Sequence, residues 1–277
     1  MLKSIKKIMK KFTRVKPIVI RVEKDKVLDN RVAVVTGGGS GIGFAIAKYF
    51  AKSGAKVIIC GRNIDKLNHS ISLLSDIEKE RIKPFVLDIT KVATLDDALN
   101  DMQKLFDEKI SILVNNAGIN EFVNFPNITE QEFDNCINTN IKGTLFLSQE
   151  ISKYMIRNNI QGNILNIGSS SCFRPAISPY HISKWAIRGM TMGMARVLIK
   201  NNIIVNGIAP GPTATAMLNS SNDDIYYKTN PSKRMAVVDE IASLAVKMVS
   251  DSGRYIVGEM ICVTGGAGNL TYDDIKY

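Results

Sequence analysis

The chain has 277 residues, of which 45% are hydrophobic, and carries a net charge of +10. This composition supplies enough apolar sequence for one large core, and it excludes a disordered or fibrous chain. The four cysteines (Cys60, Cys136, Cys172 and Cys262) lie far apart in the sequence, and the chain has only two histidines as further metal ligands. The sequence therefore predicts no disulfide framework and no metal site, and it favours a reducing cytoplasm. We also expect no secretion signal and no membrane span, since no apolar run approaches about 18 residues.

The positive charge is concentrated in residues 1–30, which hold ten Lys and Arg residues against three Asp and Glu residues. Within residues 1–12, apolar side chains recur at three- and four-residue steps with lysines between them, a pattern that predicts a basic amphipathic helix. Such a helix binds an anionic membrane weakly or packs on its own fold or a partner subunit. It lacks the residues that read nucleic acid bases, so we expect no nucleic acid partner. Residues 1–30 are interpreted as an extension of a single domain at 31–277.

From residue 31 onward, short apolar runs alternate with amphipathic stretches. Seven runs predict β-strands, at 31–37, 55–61, 83–89, 110–118, 162–169, 202–211 and 259–266. Because these runs are apolar at nearly every position, both faces of the sheet should be covered. Helical patterns at 43–54 and 183–201 lie between strands. The alternation predicts a single α/β domain with a doubly wound parallel sheet.

A glycine-rich turn, TGGGSGIG at residues 36–43, follows the first predicted strand. Gly37, Gly41 and Gly43 leave room for backbone N–H groups and the positive end of the next helix to approach a pyrophosphate. The GK[ST] ending of phosphate-loop NTPases is missing. The spacing G-x-x-x-G-x-G also differs from the common dinucleotide fingerprint G-x-G-x-x-G.

Together with NNAG at 115–118 and YHISK at 180–184, this turn resembles the short-chain dehydrogenase/reductase superfamily, in particular its 3-oxoacyl-reductase-like group. The resemblance covers residues 31–266. It implies a Rossmann fold with strand order 3-2-1-4-5-6-7, a nicotinamide cofactor, and hydride transfer between that cofactor and a carbonyl or alcohol carbon. It also implies a homodimer or homotetramer in which helices near 127–157 and 180–201 pair with their copies.

The tyrosine and lysine of the YHISK motif are the central candidates for catalysis. Ser178 is suited to cap a helix and Pro179 to begin it, so Tyr180 and Lys184 should lie one turn apart on one face. A free phenol releases its proton only near about pH 10, but a nearby ammonium group and a helix N-terminus both stabilise the phenolate. We expect Tyr180 to exchange a proton with the substrate oxygen. The resemblance further implies that Lys184 holds the nicotinamide ribose. Taken alone, the pair could also be an ordinary surface pair.

Two further catalytic candidates come from the resemblance. The segment NIGSSS at 166–171 resembles the strand end that carries the family's serine, which selects Ser169 as donor to the developing alkoxide. The loop that follows is shorter than usual, so Ser170 and Ser171 remain alternatives. INTNIKG at 137–143 resembles the segment with the catalytic asparagine, here Asn140. We expect Asn140 to lie at a helix kink and to hold a water that hydrogen-bonds Lys184.

The end of the second predicted strand bears on the choice of cofactor. An acidic residue there would favour NAD(H), but the chain has Gly61 followed by Arg62. A guanidinium can pair with a 2′-phosphate, so we expect NADP(H) rather than NAD(H), although Arg62 could instead be a solvated loop residue and Ser40 adds no charge. The predicted cofactor contacts are Gly37, Gly39, Ser40, Gly41, Ile42, Gly43, Arg62, Asp88, Ile89, Asn115, Ala117, Gly118, Tyr180, Lys184, Pro210, Gly211, Thr213 and Thr215.

Substrate recognition is expected from residues 172–179 and from a lid at about 214–234. Tyr226, Tyr227, Lys228 and Lys233 either contact a polar or anionic substrate or belong to a solvated loop. A 3-oxoacyl thioester, a sugar ketone and a secondary alcohol all stay open as substrates. An NADP(H)-dependent ketoreductase is the favoured function. The alternatives are a non-catalytic nucleotide-binding regulator and a scaffold whose basic arm contacts membranes.

Overall fold

The computed structural model describes residues 26–215, 225–268 and 270, so the basic arm of residues 1–12 and the middle of the expected lid lie outside the described residues. Within them, seven strands form one parallel sheet in the order β3-β2-β1-β4-β5-β6-β7. The strands are β1 (Val32–Thr36), β2 (Lys56–Gly61), β3 (Ile82–Val86), β4 (Ile110–Asn115), β5 (Gly162–Ile167), β6 (Ile203–Pro210) and β7 (Met260–Val263). This confirms the predicted Rossmann fold and strand order.

Helices cover both faces of the sheet, as the apolar strands require. They are α1 (Gly41–Lys52), α2 (Ile64–Ser72), α3 (Asp76–Arg81), α4 (Leu95–Gln103), α5 (Glu130–Ile137), α6 (Thr144–Arg157), α7 (Pro179–Leu198) and α8 (Val238–Val249), with a π-helix at Asn138–Gly143 between α5 and α6. None of the helices in the described residues is long and apolar enough to cross a membrane.

The core consists of two apolar clusters, one on each face of the sheet. Neighbouring residues of β1 belong to opposite clusters, Val34 to one and Val35 to the other, because successive side chains of a strand point to opposite faces. Phe50 of α1 joins the cluster around Val35, and Leu147 of α6 joins the cluster around Val34. Leu28 is fully buried in the first cluster, so the folded domain reaches back to residues before 31.

The predicted apolar runs extend past the carboxyl ends of the strands. The run at 83–89 ends as a strand at Val86, and the run at 110–118 ends at Asn115. The residues that follow leave the sheet and form loops at its carboxyl edge. In open α/β sheets this edge is where ligands bind.

The start of α7 follows the prediction from the SPY sequence. Ser178 has an extended backbone and its hydroxyl accepts a hydrogen bond from His181 N at 3.3 Å, while Pro179 takes the first helical position. Pro at this position loses no intrahelical bond because the first N–H groups of a helix have no partner within it. The cap therefore fixes where α7 begins, which places Tyr180 in the first turn of the helix and Lys184 one turn later.

A buried polar network connects β4 and β5 to helices on one face. Asn115 Nδ2 donates to Ser148 Oγ of α6 and to Asn166 Oδ1 of β5, both at 2.8 Å. Asn166 Nδ2 in turn donates to Thr191 Oγ1 of α7 at 2.8 Å. All four residues are buried. Buried polar groups must find partners, so this network specifies how α7 lies on the sheet.

Replacing Thr191 with valine tests that network, because the two side chains have the same shape and only the hydroxyl is lost. Asn166 Nδ2 would be left without its acceptor, so Thr191→Val should lower the free energy of unfolding by about 1–3 kcal/mol. Urea denaturation measures the change. Thr94→Val is the control: Thr94 is exposed and donates only to Lys91 O. If both variants unfold like the wild type, the network does not stabilise the fold.

Candidate active site

A cleft of about 680 Å³ opens at the carboxyl edge of the sheet. It lies beside the ends of β1 and β4, where the strand order changes direction, the usual place for a ligand in such sheets. Its lining residues are Thr36, Gly37, Gly39, Ser40, Gly41, Ile42, Cys60, Gly61, Arg62, Asn63, Lys66, Leu67, Leu87, Asp88, Ile89, Thr90, Asn116, Ala117, Gly118, Ile119, Asn120, Thr139 and Thr215.

The glycine-rich turn forms one wall of this cleft. Gly37 and Gly41 have φ values of +63° and +55°, which side chains other than glycine rarely adopt. A Cβ at Gly43 would overlap the Asn116 side-chain amide and lie 2.5 Å from Gly37 O. Glycine at this position therefore lets the first turn of α1 approach the loop after β4, so that its N–H groups face the cleft.

Thr36 and Asn116 join the loops that follow β1 and β4. The Thr36 hydroxyl donates to Val114 O at 3.2 Å and accepts from the backbone N–H groups of Asn116 and Ala117, each at 3.0 Å. The Asn116 amide donates to Thr36 O at 3.0 Å and Gly37 O at 3.2 Å. These bonds fix the floor of the cleft. Sequence analysis assigned neither residue, although a threonine directly before the glycine turn and a second asparagine in NNAG were available signals.

The structure brings Tyr180 and Lys184 together. Lys184 Nζ lies 5.4 Å from the centre of the Tyr180 ring and donates to Ile167 O, at the end of β5, at 2.9 Å. Lys184 is 6% exposed, and within the described residues no carboxylate lies within 4 Å of its ammonium. An ammonium group has three N–H donors, so two remain for other partners.

Asn140 lies in the π-helix, which is the kink that the sequence analysis expected. Its side chain is buried and forms two bonds with the backbone of Ile119, accepting from N at 2.8 Å and donating to O at 3.0 Å. A Cβ at Gly118 would lie 3.2 Å from Asn140 Oδ1 and 3.8 Å from Lys184 Nζ. Asn140 and Lys184 thus both approach Gly118 at the position that a Cβ would take. Insertions of this kind in helices are frequent at functional sites. The water bridge to Lys184 remains a prediction.

Among the three adjacent serines, Ser169 is the more exposed one. It is half-buried, whereas Ser170 and Ser171 are buried. Ser169 Oγ accepts from Ser171 N at 3.1 Å and caps the short 3₁₀-helix Ser170–Phe173. Ser169 Oγ also donates to Ser171 Oγ at 3.2 Å. The choice of Ser169 over its two neighbours remains a prediction. Burial raises the pKa of the Cys172 thiol, so this nearby cysteine stays protonated at neutral pH.

Comparison with known proteins identifies the family. The sequence profile described as short chain dehydrogenase matches residues 31–225. The chain belongs to the short chain dehydrogenase family. It is 32% identical over 243 residues to gluconate 5-dehydrogenase from Gluconobacter oxydans, covering 84% of this chain and 93% of that enzyme. It is 33% identical over 245 residues to 3-oxoacyl-[acyl-carrier-protein] reductase from Chlamydia trachomatis, covering 87% of this chain and 98% of the reductase.

Solved structures agree with this assignment. A gluconate 5-dehydrogenase from Burkholderia cenocepacia, crystallised with NADP and tartrate, superposes with a TM-score of 0.79 at 30% identity and covers 89% of this chain and 99% of its own. This short chain dehydrogenase is therefore an oxidoreductase that acts on alcohol or ketone groups and uses a nicotinamide dinucleotide.

The residues of this short chain dehydrogenase fit such a cofactor. The glycine turn leaves a cradle that a Cβ would fill, and the buried ammonium of Lys184 has donors to spare. The predicted cofactor contacts that line the cleft are Gly37, Gly39, Ser40, Gly41, Ile42, Arg62, Asp88, Ile89, Ala117, Gly118 and Thr215. Tyr180 and Lys184 are not among the residues that line the cleft, but Lys184 Nζ would lie 3.8 Å from a Cβ at Gly118, which does line it.

Several other predicted cofactor contacts do not line the cleft and instead contact neighbouring parts of the fold. Asn115 lies in the buried polar network, and Gly43 packs against Asn116. Pro210 ends β6, and Thr213 is buried with its hydroxyl donating to Gly211 O at 2.9 Å. Their roles toward a cofactor remain predictions.

Asp88 carries the carboxylate of the cleft wall opposite the glycine turn. Burial works to raise the pKa of Asp88, but hydrogen bonds from the Thr90 hydroxyl and backbone outweigh it, and Arg62 adds to their effect, so this pKa lies below its ordinary value. The bonds from Thr90 measure 2.7 Å and 3.0 Å. Asp88 is therefore anionic at neutral pH and already holds two donors.

Thr36→Val provides a test of the cleft floor. The substitution keeps the side-chain shape but leaves the N–H groups of Asn116 and Ala117 without their acceptor, so the two loops should separate. Affinity for the reduced nicotinamide cofactor, measured by fluorescence titration with NADPH and with NADH, should fall by about tenfold or more. Thr36→Ser keeps the hydroxyl and serves as the matched control. Equal affinity of the valine and serine variants would contradict the assigned role of this hydroxyl.

Proposed function

We propose that the protein is an NADP(H)-dependent ketoreductase. The observation that carries the proposal is the buried Lys184 ammonium, which lies beside the Tyr180 ring and close to Gly118 of the cleft lining. A buried cation without a carboxylate is costly. The Lys184 ammonium is stabilised if its two remaining N–H donors form hydrogen bonds with the Tyr180 phenolate and with the ribose hydroxyls of a cofactor.

In the proposed reaction a carbonyl group becomes an alcohol by gaining a hydride and a proton. The bound reduced nicotinamide supplies the hydride. Tyr180 gives its hydroxyl proton to the carbonyl oxygen, and Lys184 stabilises the phenolate that remains. Ser169 donates a hydrogen bond to the same oxygen and stabilises the charge that develops there. Asn140 holds the π-helix against the loop that carries Gly118, which keeps this end of the cleft in place.

The preference for NADP(H) over NAD(H) rests on Arg62. This exposed arginine directly follows β2 and lines the cleft, at the position where an acidic residue would favour NAD(H). The relative from Burkholderia cenocepacia binds NADP in its crystals. The substrate is expected within the range that the relatives' names span, from gluconate to 3-oxoacyl thioesters and hydroxysteroids.

A panel of carbonyl compounds from these classes tests the proposal, with NADPH and NADH oxidation followed by absorbance. We expect turnover with at least one compound and a higher kcat/KM with NADPH. On that compound Tyr180→Phe should lower kcat by about 10²–10⁴, because the proton donor is lost. Tyr255→Phe, at a fully exposed tyrosine, is the matched control. Unchanged turnover in Tyr180→Phe would reject the mechanism. Cofactor binding without turnover of any compound would favour the non-catalytic regulator.

The remaining proposals concern assembly and location. We propose a homodimer or homotetramer in a reducing cytoplasm, and weak contact of residues 1–12 with anionic membranes. The oligomer would cover exposed apolar side chains on α6 and α7, among them Leu145, Trp185 and Met192. The membrane contact would combine the apolar stripe of residues 1–12 with lysines that favour anionic lipid.

Vesicle flotation tests the membrane contact. The full chain should float with phosphatidylserine-containing vesicles and should stay unbound with neutral vesicles or in high salt, because screening weakens the lysine–lipid attraction. A variant lacking residues 1–25, which retains the buried Leu28, should not float. The control replaces Lys79, Lys104 and Lys200, exposed lysines of the folded domain, with glutamine. Equal flotation of the full chain and the shortened variant would exclude the arm as the contact.

A further inference from the structure

Two exposed cations lie on the same edge of the cleft. Arg62 directly follows β2, and Lys66 lies in the first turn of α2. Both line the cleft. The helix start between them is fixed, because the Asn63 side chain accepts a hydrogen bond from Lys66 N at 2.9 Å. Lys66 was not among the cofactor contacts that the sequence suggested.

The side chain of Lys66 starts beside the glycine-rich turn. A Cβ at Gly39 would lie 3.7 Å from Lys66 Cγ and 3.1 Å from Leu67 Cδ2, and Ser70 Oγ donates to Gly39 O at 2.7 Å. The first two helical turns of α2 therefore pack against the glycine-rich turn at residues 36–43. Ser40, the next residue of that turn, also lines the cleft and carries no charge. The Lys66 ammonium can therefore supply a positive charge beside the glycine-rich turn, where Ser40 supplies none.

Neither cation forms an ion pair within the described residues. No carboxylate there lies within 4 Å of the Arg62 guanidinium or the Lys66 ammonium. The carboxylate of the lining, Asp88, is already hydrogen-bonded by Thr90. Asp88 keeps its negative charge, but the cleft lining holds two cations and one carboxylate, so an excess of positive charge remains. A phosphate monoester bears a charge of about −1.5 to −2 at neutral pH, so a single cation does not balance it.

We propose that Lys66 is a second residue that selects for the 2′-phosphate of NADP(H), binding it from the side of the glycine-rich turn while Arg62 binds it from the side of β2. This inference rests on the proposed use of NADP(H). The guanidinium supplies paired, planar donors and the ammonium supplies a mobile point charge, so the two make different contacts with the same phosphate.

Calorimetric titration with two fragments, adenosine 2′,5′-bisphosphate and 5′-AMP, isolates the 2′-phosphate without any turnover. Lys66→Gln should weaken binding of the bisphosphate by about tenfold, the loss expected for one charge-assisted contact, and should leave 5′-AMP binding unchanged. Lys66→Arg should restore most of the affinity. The loss should shrink as salt is raised. Unchanged 5′-AMP binding also shows that the variant is folded.

Lys91→Gln is the matched control. Lys91 is exposed and close enough to Asp88 to lower its pKa, yet it is not part of the cleft lining. If Lys91→Gln weakens bisphosphate binding as much as Lys66→Gln, the loss reflects long-range electrostatic attraction, and a direct contact between Lys66 and the phosphate is rejected. If Arg62→Gln loses the preference for the bisphosphate while Lys66→Gln keeps it, the Lys66 assignment alone fails. If the wild type binds both fragments equally, the proposed NADP(H) preference fails as well.

Discussion

The arrangement of the site depends on one buried ammonium group. Lys184 donates to Ile167 O at the end of β5, one helical turn from Tyr180, and within the described residues no carboxylate lies within 4 Å of its ammonium. Burying a charge without a counterion costs several kcal/mol unless other polar groups replace the lost water. The fold accepts this cost at the position where a phenol and the hydroxyls of a ribose can compensate it. Other features of the site serve to hold the surrounding loops at the correct distance from this group.

Two of these features act through close backbone approach. Gly118 leaves room for Asn140 and Lys184 where a Cβ would lie, and Gly43 admits Asn116 against the start of α1. Thr36 adds a hydroxyl that satisfies three backbone groups at once. The loops after β1 and β4 thus behave as one rigid floor. Such a floor can hold an extended dinucleotide with one end at Arg62 and the other end near Tyr180.

Much of this could be predicted from the sequence, because the signals are local. The apolar runs predicted the strands, and the SPY cap predicted the start of α7 and so the spacing of Tyr180 and Lys184. The resemblance to a known family supplied the strand order. Contacts between distant segments were not predicted: Thr36 with Asn116 and Lys66 with Gly39 become visible only when the loops are brought together. For the same reason Asn115 could not be separated by motif alone from Asn116, although one joins the core network and the other faces the cleft. The resemblance selected Ser169 from the three adjacent serines, and the hydrogen bonds that tie Ser169 to Ser171 became visible only in the fold.

A crystal structure of the complex with NADPH tests the central claim most directly. The account predicts that Lys184 Nζ keeps its bond to Ile167 O and lies within about 3 Å of the nicotinamide ribose hydroxyls. It also predicts that the Tyr180 hydroxyl faces the reactive carbon of the nicotinamide across the space for a substrate. A complex in which the Lys184 ammonium contacts neither the ribose nor Tyr180, or in which the Tyr180 hydroxyl points out of the cleft in every subunit, would contradict it.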